Sequence, residues 1–133
     1  MGVLSDYFIA GADELGKVGK SGKLPKAWPQ VDAKGFGMIP LEALAKRLEK
    51  SALEDGEPPA HGDDYEWVVQ QLTPAFVRAL AKLSKDDIAK HAPAVAKIEE
   101  LGWSSKETAR VIELLHGLAK KAGDKNVYLW TSV

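Results

Sequence analysis

The clearest alternation of hydrophobic and polar positions lies in the C-terminal quarter of the chain. Ser104 or Ser105 supplies a side-chain oxygen that can accept a free backbone N–H at the start of a helix, and Gly123 can adopt the left-handed conformation that ends one. Between them, apolar residues recur every three or four positions and predict one buried stripe: Val111, Leu114, Leu115, Leu118, Ala119 and Ala122. The pattern predicts a long amphipathic helix that packs on a core.

A C-terminal strand is predicted directly after this helix. Residues 127–133 follow a short polar turn and are rich in β-branched and aromatic side chains. Val127 and Leu129 would point to one face of the strand, and Tyr128 and Trp130 to the other. Because both faces carry large apolar side chains, we expect the strand to lie inside a sheet that is covered on both sides.

Weaker patterns place further strands earlier in the chain. Residues 3–10 are apolar and aromatic, end at a glycine and predict a first strand. Residues 65–72 predict another strand, and the weak alternation of residues 30–36 predicts a short edge strand.

Several shorter helices are predicted between these strands. They cover residues 12–18, 40–52 and 74–83, the last with Thr73 as its N-cap and Pro74 at its first position. A capping box formed by Ser84 and Asp87 opens another helix. We expect Pro93 to break that helix, because proline removes a hydrogen bond and clashes with the preceding turn, and a second piece to run to about Leu101.

Together these elements predict one α+β domain over residues 1–133, with several helices packed on a small mixed β-sheet that includes the C-terminal strand. A chain of 133 residues suits a single domain, and such a domain can bury roughly 68% of the surface of the unfolded chain. The sequence leaves the strand order and the oligomeric state open.

Composition narrows the classes of function. A net charge of −1 argues against a general nucleic-acid binder or a membrane-surface binder. The absence of cysteine excludes disulfides, thiolate metal sites and cysteine nucleophiles. No apolar run approaches the roughly 20 residues that span a bilayer, and the first residues lack the features of a signal peptide. We therefore expect a cytoplasmic protein with no membrane partner.

An acidic stretch interrupted by glycine and proline covers residues 53–64, and we expect it to be a flexible loop. A metal site is one interpretation, but the spacing matches no calcium loop and no His-x-x-x-His pair. We predict no metal site here and favour a surface that attracts a basic protein partner. The candidate partner-binding residues are Asp55, Glu57, Asp63, Asp64 and Trp67.

A second charged stretch is basic and lies near the N-terminus. It carries Lys17, Lys20, Lys23 and Lys26, with Trp28 close behind, and could attract an anionic partner such as nucleic acid. The whole chain has only three arginines, fewer than expected of a nucleic-acid module. We therefore favour a solvated surface loop over a nucleic-acid site.

Candidate catalytic chemistry is sparse. His61, His91 and His116 lie far apart in the sequence, and no serine lies in a Gly-x-Ser-x-Gly motif. No catalytic residue and no cofactor is therefore predicted, and a non-enzymatic protein-binding module is the favoured function. The alternative is a small-molecule enzyme that uses His61 or His91 as a general base in an unrecognised pocket.

The layout of the whole chain resembles the YfbM-like family of small proteins of unknown function. The resemblance is carried by the opening Met1-Gly2-Val3-Leu4-Ser5-Asp6-Tyr7-Phe8, the Asp13-Glu14-Leu15 helix start, a helix near Leu41, the Leu72-Thr73-Pro74 entry to a helical run, and the passage from Lys120-Lys121-Ala122-Gly123 into Val127-Tyr128-Leu129-Trp130. It implies an α+β fold closed by a C-terminal strand. Some family members are similar to immunity proteins, so the resemblance also favours binding over catalysis.

Overall fold

One antiparallel sheet organises the described residues of the computed structural model, which are 4–19, 22–98 and 102–132. Its strands are β1 (Leu4–Ala10), β2 (Gln30–Asp32), β3 (Ala60–His61), β4 (Trp67–Gln71) and β5 (Asn126–Ser132). Their order across the sheet is β2-β1-β5-β4-β3, and each neighbouring pair is antiparallel. The α+β class is confirmed, and the expectation of a mixed sheet is wrong.

Four α-helices are described between and beside these strands. They are α1 (Met38–Arg47), α2 (Pro74–Ala81), α3 (Lys85–Ala96) and α4 (Ser105–Ala122). Two short 3-10 helices, Ala12–Lys17 and Asp63–Tyr65, lie in the connections. Ser104 and Glu107 cap α4 reciprocally, since the backbone N–H of each donates to the side chain of the other at 3.1 Å. None of the described helices is long and apolar enough to cross a bilayer.

The C-terminal strand β5 lies in the middle of the sheet, between β1 and β4. Val127 and Leu129 are buried against the helices, while Tyr128 and Trp130 are buried on the opposite face. The prediction from the alternation of residues 127–133 is therefore confirmed for the strand and for its burial on both sides. Val133, like Val3 and Leu101 at the ends of other predicted elements, lies outside the described residues.

The larger core lies between the sheet and the four α-helices. Tyr7 and Ile9 of β1 join helix residues such as Leu41, Phe76 and Ile112 in it. The Tyr7 hydroxyl donates a 2.7 Å hydrogen bond to the Phe36 carbonyl oxygen, and full burial raises the pKa of this phenol. This buried bond fixes the connection that leads from β2 into α1.

The opposite face of the sheet is covered by the basic stretch, which we call the lysine loop and describe over residues 17–19 and 22–28. Lys20 of the predicted basic stretch lies outside the described residues. Leu24 and Trp28 of this loop are buried against the sheet. The Trp28 ring stacks on Phe8 with a centroid distance of 5.3 Å, and Phe8 stacks in turn on Tyr128 at the same distance. The lysine loop therefore covers a second, smaller core. The expectation of a merely solvated loop missed this role.

Two details of the helices differ from the sequence prediction. Helix α3 continues through Pro93, so the expected break is wrong. Pro93 and Ala89, whose carbonyl loses its intrahelical partner, are both exposed, and water can replace the missing bond. On α4, Leu114 is 39% exposed, whereas Ile112, which the predicted stripe omitted, is fully buried.

A carboxyl pair lies where β1 meets the edge strand β2. Asp6 and Asp32 are directly opposite each other in the register. Partial burial, followed by the charge of Asp32 and a hydrogen bond with it, raises the pKa of Asp6 to about 6. The folded protein therefore retains a proton on Asp6 that the unfolded chain releases near pH 4, and its stability falls as the pH rises between these values.

We expect Asp6→Asn to stabilise the protein at pH 7, because asparagine can donate a hydrogen bond to Asp32 without adding a charge. Asp6 is partly exposed, so solvent screening reduces the gain to about 1 kcal/mol. Urea unfolding at pH 7 and at about pH 4 would measure it, with a smaller gain expected at the lower pH. An equal or larger gain in stability at the lower pH would contradict the proton that the folded protein retains on Asp6.

Candidate functional site

The acidic stretch of residues 53–64 is anchored at both ends along β4. At one end the Glu54 N–H donates a 2.9 Å hydrogen bond to the Gln71 carbonyl oxygen. At the other end Ala60 and His61 pair with β4 as strand β3. The stretch is therefore the edge of the sheet, interrupted in the middle by a short excursion.

This excursion covers residues 55–59 and is explained by its sequence. Gly56 has a φ of +102°, a conformation that side chains disfavour, and Pro58 and Pro59 have no N–H for a strand ladder. The pairing with β4 therefore stops after Glu54 and resumes at Ala60. Asp55 and Glu57 are carried outward on the excursion, where both side chains are exposed.

The connection from β3 to β4 forms a tight hairpin tip over residues 62–66. Asp64 and Tyr65 have φ values of 52° and 55°, a left-handed conformation that costs of order 1 kcal/mol for each residue. The exposed Tyr65 ring stacks on His61, with ring centroids 4.1 Å apart. The tip thus presents an aromatic pair flanked by Asp63, Asp64 and Glu66, all of them exposed.

Trp67 lies beneath this tip and is only 6% exposed. A Cβ added at Gly62 would collide with the indole nitrogen of Trp67. From the other side, a Cβ at Gly22 of the lysine loop would lie 2.8 Å from Cγ of the same indole. Trp67 is therefore packed between the hairpin tip and the lysine loop, and it supports the acidic surface from below.

The candidate site is a group of exposed carboxylates in the segment that forms the β3 edge of the sheet and the hairpin tip, and we call it the acidic edge. It consists of the four acidic residues predicted from the sequence and two acidic residues that adjoin them in the same stretch: Glu54, Asp55, Glu57, Asp63, Asp64 and Glu66. All six are exposed, and residues 53–66 contain no lysine or arginine. Within the described part of the chain, the ion pairs of Glu14 with Lys17 and Lys125 lie elsewhere, and none involves the acidic edge.

A surface groove of about 720 Å³ adjoins one end of the acidic edge. Helix α1 forms one wall of the groove, and residues 50–56 form the other. Met38 and Ile39, at the start of α1, line it and are 44% and 53% exposed. The apolar pattern predicts a helix that begins at Pro40, so it omits these two residues, and no periodic signal marks them as part of a surface.

The three histidines remain separate in the fold. His91 accepts a 2.8 Å hydrogen bond from Arg47 Nε, which links α3 to α1, and burial together with the nearby guanidinium lowers its pKa. His116 Nδ1 lies 2.7 Å from the Leu80 carbonyl oxygen, so it connects α4 to α2. His61 stacks at the hairpin tip. None of the three lines the groove.

The described residues contain no group of three or more histidine, aspartate or glutamate side chains placed to hold a metal ion. Glu54 lies beside β4, Asp55 and Glu57 lie on the excursion, and the other three carboxylates lie at the hairpin tip. Their arrangement suits contact with an extended basic surface, because each carboxylate remains open to solvent.

The chain was also compared with known proteins. No protein-family model, no curated protein and no solved structure matches it.

Proposed function

We propose that this protein is a non-enzymatic protein-binding module, and that the acidic edge binds a basic segment of another protein. The observation that carries the proposal is the set of six exposed carboxylates with no neighbouring lysine or arginine between residues 53 and 66. Such a group of like charges repels itself and so costs stability in the isolated protein. A basic partner would relieve this repulsion and would be steered to the surface at low ionic strength.

The hairpin tip supplies an uncharged contact within this surface. Tyr65 is half exposed and stacks on His61, so its outer ring face is open to a partner. Tyrosine is enriched among interface residues that contribute strongly to affinity, and its face attracts cations. Trp67 contributes from below as a support for the tip, because its side chain is buried.

The test compares two variants of equal net charge. The edge variant carries Asp55→Lys, Glu57→Lys, Asp63→Lys and Asp64→Lys, and the control variant carries the same change at four other exposed positions, Asp13, Asp86, Glu113 and Asp124. The probe is a peptide of alternating lysine and serine about ten residues long, which can extend over roughly 33 Å. Its affinity is measured by titration calorimetry at low salt and at about 0.15 M salt.

We expect the edge variant to bind this peptide at least about tenfold more weakly than the unmodified protein, with a smaller dependence on salt. The control variant should lose much less affinity, because its changes lie away from the acidic edge. Equal losses in the two variants would show that only the total charge matters and would contradict the proposed surface.

The relationship to the YfbM-like family is part of the same proposal. An immunity-like role would make the basic partner a toxin. A solved YfbM-like structure with the strand order β2-β1-β5-β4-β3 would support the relationship. A different strand order would contradict it.

A further inference from the structure

We infer that the groove beside α1 binds an amphipathic helix of the partner protein, with its basic end over the acidic edge and its acidic end over the C-terminus of α1. This inference rests on the proposed function, since it describes how the partner that binds the acidic edge continues onto the neighbouring surface. Three observations carry it: the apolar pair at the start of α1, the separation of opposite charges along the groove, and the dimensions of the groove.

The apolar pair consists of Met38 and Ile39, which are adjacent in sequence and both largely exposed. Only three other large hydrophobic side chains among the described residues are exposed to a comparable extent, and they lie apart: Leu4, Tyr65 and Leu114. Single exposed apolar residues are ordinary on a protein surface, whereas Met38 and Ile39 are adjacent and both line the same groove. Met38 and Ile39 are the apolar anchor of this groove.

Opposite charges lie in different parts of the groove. Lys46 follows Met38 by eight residues on α1, which corresponds to about 12 Å along the helix axis. The Lys50 N–H donates to the Ala45 carbonyl oxygen, so Lys50 is also held at the C-terminal end of α1. The chain then lines the groove through Glu54 and Asp55, toward the acidic edge. Glu42 also lines the groove, one turn before Lys46 on α1. The basic side chains of the groove therefore lie toward the C-terminal end of α1, and the acidic ones lie along the rest of it.

The dimensions favour a helix over a small ligand. Helix α1 has ten residues, so the wall that it forms is about 15 Å long. A site for a small molecule usually encloses most of its ligand with apolar side chains and a few polar groups. Here charged residues line the groove, including Glu42, Lys46, Lys50 and Asp55. An amphipathic helix fits better, because it presents apolar residues at every third or fourth position and charges at its ends.

The test uses two helical peptides about twelve residues long, a length that covers the wall formed by α1. Both carry leucine at every third or fourth position. The first has arginines at one end and glutamates at the other, in the orientation that matches the groove when its leucines contact Met38 and Ile39. The second has the same composition, but its arginines and glutamates are mixed at both ends, so neither direction of binding matches the charges of the groove.

We expect the first peptide to bind at least about tenfold more tightly than the second, and Ile39→Ser to weaken its binding by about tenfold. The matched control is Leu114→Ser, which removes an exposed leucine on α4 that does not line the groove and should leave the affinity unchanged. Because Ile39 is more than half exposed, its variant should fold normally, and thermal unfolding verifies this.

Equal binding of the two peptides, no effect of Ile39→Ser, or no binding of either peptide would each overturn the groove inference. These failures remain distinguishable from failure of the proposed function. If the lysine-serine peptide binds the unmodified protein and binds the edge variant more weakly, the proposed binding at the acidic edge is supported. Only the groove inference is then contradicted. If that peptide shows no edge-specific binding, the proposed function falls together with the inference that rests on it.

Discussion

Replacing Trp67 with alanine is expected to lower the free energy of unfolding by about 3–5 kcal/mol. The Trp67 side chain projects from the sheet and lies between the hairpin tip and the lysine loop, since Gly62 and Gly22 both lie against its indole. Its removal opens a cavity beneath two loops at once. Urea unfolding followed by circular dichroism would measure the loss.

Two further measurements distinguish the loss of a support shared by the two loops from a general loss of stability. Trp67→Phe should lose less than Trp67→Ala, because a smaller aromatic ring still fills part of the space. Proteolysis of native Trp67→Ala should begin within the lysine loop or residues 53–66, which rest on this side chain. A loss below about 1 kcal/mol would show that Trp67 is not the common support of the two loops.

The second large effect concerns neighbouring positions on α4. Ile112→Ala is expected to cost about 2–5 kcal/mol, because Ile112 is fully buried between the helices and the sheet. Leu114→Ala should cost below about 1 kcal/mol, because Leu114 is 39% exposed. The two variants remove aliphatic side chains of equal size from the same helix, so each is the control for the other. Thermal unfolding of both proteins would compare them, and a larger loss for Leu114→Ala would contradict the orientation of α4.

The same pair shows how far a periodic pattern determines a helix. The caps at Ser104 and Gly123 depend on local chemistry, and they predicted both ends of α4. Ile112 and Leu114 are both apolar, however, and spacing alone placed the wrong one in the stripe. The side of α4 that faces the core depends on α2, α3 and the sheet, which the spacing within one helix does not encode.

The central strand of the sheet could be predicted from the residues, but the directions of the strands could not. The alternation of Val127, Tyr128, Leu129 and Trp130 places apolar bulk on both faces, and only a strand inside a covered sheet buries both. The direction of each strand depends on the end of the sheet at which the intervening helices and loops bring the chain back. That information is tertiary, so the antiparallel order could not be predicted from the residues of any one strand.

The candidate site, like the sheet, could be predicted only in part. Asp55, Glu57, Asp63 and Asp64 could be found from sequence because a run of like charges with no lysine or arginine is visible there. Their division between an excursion and a hairpin tip could not be found, since it depends on the pairing of β3 with β4. The burial of Trp67 likewise results from contacts with distant parts of the chain.

The most direct test of the central claim is to locate the binding of the lysine-serine peptide by amide NMR titration of the unmodified protein. The account predicts that the shift changes are largest within residues 53–66, that they decrease at higher salt, and that the lysine loop changes little. Changes centred on the lysine loop or on α3, or spread evenly over the surface, would contradict the acidic edge as the binding surface of this protein.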